Sequence, residues 1–203
     1  MKRVAPDSKG IQQAVQILRA GGIVAYPTET VYGLGVDPFS DSALAKLFTL
    51  KERDIRQPVL LIVADEKQAR AMSADLSEHA ALCMRHFWPG PLSLVLPASS
   101  QVSGVLLDDQ GRICLRCPGH AVARALCHVF GSAITSTSAN ISGQRPATNA
   151  DAAALPGVDF VLDGGVLPPS LPSTVYDPDA HCVLREGPIT IEMIATMSLN
   201  DER

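Results

Sequence analysis

Apolar positions recur with two different periods along this chain, and the alternation between them sets the architecture. Ile11, Ala14, Val15 and Leu18 fall at helical spacing, Gly21-Gly22 stops them, and the run Ile23-Val24-Ala25-Tyr26 follows; this predicts helix, turn, buried strand. Ser40-Asp41 caps a second predicted helix with Ala43, Leu44, Leu47 and Leu50 on one face, ahead of a strand over 59–63. The pattern continues with a helix near 80–87, the breaker Trp88-Pro89-Gly90-Pro91, and a strand over 92–96. A strand at 113–116, a helix at 121–130 and a strand at 133–137 come next. Asn149 caps a short helix, 160–162, 174–176 and 182–184 read as extended, and a terminal helix starts near Thr190.

Strands interleaved with helices predict one α/β domain, and several closing strands on short turns predict a mixed rather than wholly parallel sheet. The domain is expected to span 1–203, with its core over about 8–198; the Gly- and Pro-rich stretch 164–172 reads as a surface loop. A chain of 203 residues with 46% hydrophobic side chains is long enough for one sizeable core. Only 19% of residues are charged and 4% aromatic, against 15 Gly and 15 Pro, which argues against coiled-coil and disordered classes. A net charge of −4 gives no global pull toward nucleic acid or anionic lipid. No apolar run is long enough to cross a bilayer and the first residues lack a leader's apolar stretch, so a cytoplasmic protein without a membrane association is expected.

Cysteines 83, 114, 117, 127 and 182 are odd in number and sparse, which favours packed free thiols over disulfides. Cys114-Leu-Arg-Cys117 with His120, Cys127 and His128 has a superficial zinc spacing. In a strand the first two cysteines leave opposite faces, a second CxxC is absent, and packing is the better account.

Four segments concentrate polar side chains where elements end, which is where α/β sheets place ligands. Pro27–Gly35 carries hydroxyls, a carboxylate and small residues, a pattern that a hydroxyl-stabilised turn also explains. Lys51-Glu52-Arg53, with Arg56, suits phosphate clamping, although cations at a helix C-terminus need no ligand. Ser136–Gly143 is dense in small donors and acceptors, fitting ribose, phosphate or carboxylate as readily as a capping turn. Arg116, the Pro172–Val175 segment and Arg185 form the fourth set. The signatures GxxxxGK[ST], HExxH and GxSxG are absent from the sequence.

Taken in order, PTETVYGLG (27–35), Lys51/Arg53, WPGPLSLVLP (88–97), LRCPGH (115–120), STSANISG (136–143), PSTVYD (172–177) and LREG (184–187) resemble the YrdC/TsaC family of threonylcarbamoyl-AMP synthases. The resemblance implies a twisted mixed parallel/antiparallel sheet flanked by helices around a positively charged cavity. It implies condensation of L-threonine, bicarbonate or CO2 and ATP, with Mg2+, into threonylcarbamoyl-adenylate and pyrophosphate. Downstream tRNA threonylcarbamoyl transferase proteins would use the product. By the same resemblance, Lys51 and Arg53 are catalytic and contact ATP together with Gln57, Asn140, Thr148 and Arg185. Thr30, Arg116, Ser138 and Ser173 hold threonine, and no protein ligand is assigned to the metal. Asp54-Ile55-Arg56-Gln57-Pro58 and Arg112 depart from the family pattern, and the length matches its minimal form. The alternatives are adenylation of another carbamate and a non-catalytic module that binds tRNA or other RNA.

Overall fold

The computed structural model describes residues 1–52 and 59–197. Helix α1 (Ser8–Arg19) begins where the Asp7 carboxylate accepts the Gly10 N–H, and it buries Gly10, Ile11, Ala14, Val15 and Leu18. Full burial of such aliphatic side chains contributes on the order of 1.5–3 kcal/mol each. The helix ends because Gly21 adopts φ 76°, a left-handed conformation costly for any residue with a Cβ. Strand β2 (Val24–Pro27) follows, and then β3 (Tyr32–Gly35).

The stretch 27–35 is therefore half turn and half strand, where only a turn was expected. Thr28 Oγ1 donates to the Val31 carbonyl at 2.6 Å and so closes the turn. Tyr32 and Leu34 are fully buried, while Gly33 and Gly35 lie against the Tyr26 ring. A Cβ at Gly35 would stand 2.8 Å from the Thr135 carbonyl oxygen, so a side chain there would push the strands apart.

Helix α2 (Asp41–Lys51) takes its cap from Ser40, and β4 (Leu60–Ile62) follows the break between the two described stretches. Helix α3 (Glu66–Met72), capped by Asp65, was not anticipated: it buries only Ala69 and Met72, too few apolar positions to mark a period. Then come α4 (Glu78–Phe87), β5 (Leu92–Pro97), a 3-10 turn at Gly104–Leu106, β6 (Arg112–Arg116), α5 (Ala121–Phe130) and β7 (Ile134–Ser138). The described chain closes with α6 (Ala150–Ala153), β8 (Phe160–Leu162), β9 (Thr174–Asp177), β10 (Cys182–Arg185) and α7 (Ile191–Met197). Asn149 caps α6 as expected, and 164–172 is irregular. The short strand β1 (Lys2–Val4) was also missed, since three residues give no readable alternation.

The strands form one sheet in the order β1-β8-β2-β3-β7-β4-β6-β5-β9-β10. Four pairs are parallel (β1/β8, β2/β8, β4/β6, β5/β9) and the rest antiparallel, so the sheet is mixed. Alternation along β2 sends Val24 and Tyr26 to one face and Ile23 and Ala25 to the other. The first face packs against α1 and α5; the second packs against a larger core that includes residues of α2, α3, α4, α6 and α7. Among the described residues no helix is long and apolar enough to cross a membrane.

Candidate functional site

The face that α1 and α5 cover is covered only in part. Ile62 and Ile134 pair across β4 and β7 and lie in the core beneath those helices. Two residues along the same strands, Leu60 and Ser136 pair in register and line an open cavity of about 480 Å3 instead. The cavity floor continues along the sheet by the period-two rule: Cys114 on β6, Ser93 and Val95 on β5, Val175 on β9. Three arginines and one aspartate are the charged residues of its lining.

Arg116 ends β6 and is only 4% exposed. Its Nε donates to the Gly90 carbonyl at 3.1 Å. Nη2 lies 2.6 Å from Glu29 Oε1, an ion-pair distance, and is buried. Glu29 Oε1 also accepts the Gly119 N–H at 2.6 Å. Burial would raise the Glu29 carboxyl, but the Arg116 charge and the Gly119 N–H outweigh it and hold the group below the usual carboxylate range. Arg116 is thus oriented by an ionised partner and brings a guanidinium charge to the cavity lining. Next to it, Thr30 Oγ1 lies 3.0 Å from Thr28 Oγ1. The single Thr28 proton is used on Val31, and Thr28 Oγ1 accepts the Thr30 and Val31 N–H groups at 3.2 Å, so Thr30 Oγ1 accepts nothing from Thr28 and its lone pairs stay available.

Ser173 and Arg185 close the same end. Arg185, on the exposed rim, donates from Nε and Nη2 to the Ser173 carbonyl at 3.1 and 2.8 Å, and from Nη2 to Ser173 Oγ at 3.1 Å. Cys114 lies between the arginines; burial, against the pull of the Arg185 and Arg116 charges, pushes its thiol up to about 12. It is protonated at neutral pH and therefore a poor nucleophile. All five cysteines are free thiols, and no group of three or more His, Cys, Asp or Glu side chains is gathered for a metal among the described residues.

Ser138 lines the cavity where β7 ends. Its Oγ donates to Asn140 Oδ1 at 2.5 Å, and Asn140 Nδ2 donates to the Ile141 and Gln144 carbonyls. Lys51, buried at the last turn of α2, donates from Nζ to the carbonyls of Ser138 (2.6 Å) and Asn140 (2.7 Å) and to Asn140 Oδ1 (3.1 Å). Ser142 returns a bond from Oγ to the Lys51 carbonyl at 2.7 Å. The turn after β7 and the end of α2 are therefore one hydrogen-bonded body.

Of the residues singled out from sequence, Thr30, Arg116, Ser138, Ser173 and Arg185 share the cavity lining. Lys51 and Asn140 stand behind Ser138. Thr148 is exposed and outside the lining, with its carbonyl accepting the Leu167 N–H. Arg53 and Gln57, with the divergent stretch between them, lie outside the described residues. Arg112 lines the cavity and is fastened by its Nε to Asp108 Oδ2 at 2.8 Å and by its Nη1 to Asp177. Thr28 and Ser136 of the candidate segments also line the cavity, whereas sequence reasoning missed Ser93, whose signal was present: it is the one polar residue among the five from Leu92 to Leu96.

Comparison with known proteins gives concordant matches. The family model Sua5_yciO_yrdC, described as telomere recombination, matches residues 16–187. A threonylcarbamoyl-AMP synthase of Coxiella burnetii is 34% identical over 181 residues, covering 88% of this chain and 97% of the relative. One from Halorhodospira halophila is 44% identical over 137 residues, 68% of this chain and 72% of its own. Among solved structures, P. abyssi Sua5 complexed with L-threonine superposes with a TM-score of 0.89 at 32% identity. That match takes in 97% of this chain, which spans 59% of the Sua5 chain.

Proposed function

The chain belongs to the Sua5_yciO_yrdC family, and from that membership and the cavity we propose that it is a threonylcarbamoyl-AMP synthase. It is a nucleotidyltransferase that condenses L-threonine, bicarbonate or CO2 and ATP into threonylcarbamoyl-adenylate and pyrophosphate. The observation that carries the reading is Arg116: a buried guanidinium, fixed by Glu29, that lines one cavity with Thr30 and Ser173. This polarity suits a small zwitterion, with the carboxylate at Arg116 and Ser173 and the amine at the lone pairs of Thr30.

With the amino acid held there, its ammonium gives up a proton to solvent, and the free amine takes up CO2 with loss of a second proton to give a carbamate. A carbamate oxygen then displaces pyrophosphate from the α-phosphorus of ATP. The displacement requires no protein nucleophile, which agrees with the protonated state of the Cys114 thiol. Catalysis rests on holding two substrates in line and on positive charge near the phosphates. Arg185 and the Ser138–Asn140 turn border the nucleotide. Lys51 keeps that turn in shape and supplies charge from behind it, with Arg53, Gln57 and Thr148 as further nucleotide contacts. Mg2+ would come with ATP, supplying charge neutralisation through phosphate oxygens and water. A separate tRNA threonylcarbamoyl transferase consumes the labile adenylate, and we place these steps in the cytoplasm.

The test is mass detection of the adenylate after incubation with MgATP, bicarbonate and threonine. Formation that depends on threonine supports the reading. An adenylate of another carbamate, formed equally well without threonine, overturns it.

A further inference from the structure

Among the described residues, the one hydrogen-bond partner of the Ser93 side chain is Ser173. Ser93 is 0% exposed on β5, and its Oγ lies 2.9 Å from Ser173 Oγ. Ser173 Oγ also lies 3.1 Å from Arg185 Nη2, and a guanidinium can only donate. One lone pair of Ser173 is therefore occupied by Arg185. The direction of the Ser93–Ser173 bond decides what Ser173 has left.

Two directions are conceivable, and burial separates them. If Ser173 donated to Ser93, the Ser93 proton would be fully buried with no acceptor among the described residues, an unfavourable state. If Ser93 donates to Ser173, every group is satisfied. Both Ser173 lone pairs are then filled, one by Ser93 and one by Arg185. The only hydrogen-bonding capacity left on Ser173 is its own proton.

We infer that Ser93 is a positioning residue that makes Ser173 an obligate donor toward the cavity, selecting a carboxylate oxygen of the ligand and rejecting a ligand hydroxyl or amine in donor orientation. The inference rests on the reading of the cavity as an amino-acid site. Register supports the pairing with Arg116: Leu94 is opposite Leu115, so Ser93 lies opposite the next residue, Arg116, in the antiparallel pair. The forced Ser173 proton and the Arg116 charge thus belong to one cavity lining and are complementary to one anionic group.

The experiment compares the native enzyme with Ser93→Ala and Ser93→Thr, using threonine and its amino-alcohol analogue threoninol, which lacks the carboxylate. In Ser93→Ala the Ser173 lone pair is released and the proton can turn away. The threonine KM is expected to rise about tenfold, with kcat and the ATP KM changed less than about twofold. Inhibition by threoninol is expected to stay the same, and Ser93→Thr, which keeps the hydroxyl, to restore the threonine KM. Should Ser93→Ala fail to fold, Ser93→Cys keeps the volume with a weaker donor and is expected to show a smaller shift of the same kind. An unchanged threonine KM, or equal losses for threonine and threoninol, overturns the inference while leaving the synthase reading intact. A native enzyme that forms no threonine-dependent adenylate removes the synthase reading, and with it this one.

Discussion

Lys51 Nζ lies 2.6 Å from the carbonyl oxygen of Ser138, so a charge at the end of one helix fastens the turn that ends a strand 87 positions away in sequence. The contact joins the Lys51 and Ser136–Gly143 motifs, which sequence alone leaves as separate candidates. The carbonyl of Asn140 at 2.7 Å completes the clamp.

Lys51→Met removes both the charge and the clamp. It takes the lysine donor from the Asn140 carbonyl, while the Ser138 carbonyl keeps the Asn140 N–H, a cost of about 1–3 kcal/mol in stability. Threonine-dependent pyrophosphate release is expected to fall by about 2–4 kcal/mol in transition-state terms, or roughly 30- to 1000-fold. Urea unfolding and single-turnover rates measure the two effects separately. Full activity in Lys51→Met would take the lysine out of the mechanism.

Glu29→Gln keeps the shape of the Arg116 contact and removes its charge. The folded state holds Glu29 below its ordinary value of 4.5, so its contribution to stability is complete above that value and is lost as pH falls through the lowered one. The melting-temperature gap between native and Glu29→Gln proteins is therefore expected to be widest near neutrality and to close in acid. A gap independent of pH from 7 to 3 would mean that the pair contributes nothing through charge.

Most of the elements were legible because their apolar periods are long and their caps ordinary: Ser40 and Asn149 occupy the cap positions that their side chains suggest. Those that were not legible are short or defined by partners. β1 exists because β8 is there to pair with it, and β3 because Gly33 and Gly35 allow it to pack against Tyr26. In the site, Arg116 and Ser173 stood out as polar residues beside apolar strands, but their geometry depends on contacts that span the chain. Glu29 orients Arg116 from the β2–β3 turn, and nothing in local sequence shows that the turn folds over the end of β6.

Arg112 is fixed between Asp108 and the buried Asp177. Arg112→Ser leaves Asp177 without its cation and is expected to cost about 1–3 kcal/mol. Asp177→Asn in the same background is expected to recover part of that loss, because no unpaired charge then remains. Chemical denaturation of the double-mutant cycle reads the coupling; additive losses would deny it.

On the opposite side of β9, His79 Nε2 lies 3.0 Å from the Tyr176 hydroxyl, and its ring centroid is 4.5 Å from that of His181. Burial first, and the His181 charge second, lower the His79 pKa below 6.5, with Asp179 opposing. The folded state prefers the neutral ring, so this contribution holds above 6.5 and is lost as pH falls through the lowered value. His79→Gln is expected to be less stable than native at pH 7.5 and to lose less between pH 7.5 and 5.0. Thermal melts at the two pH values check it, and parallel losses would assign the acid sensitivity elsewhere.

The cavity floor is the sheet itself, assembled from strands that begin at Tyr32 and end at Asp177, with a rim reaching Arg185. Neighbours on that floor are distant relatives along the chain: Ser93 touches Ser173, and Glu29 touches Arg116. No fragment inherits half of the chemistry, and a cut in almost any loop separates residues that a substrate must meet at once. Recombination between homologues would have to exchange the whole platform to exchange its selectivity.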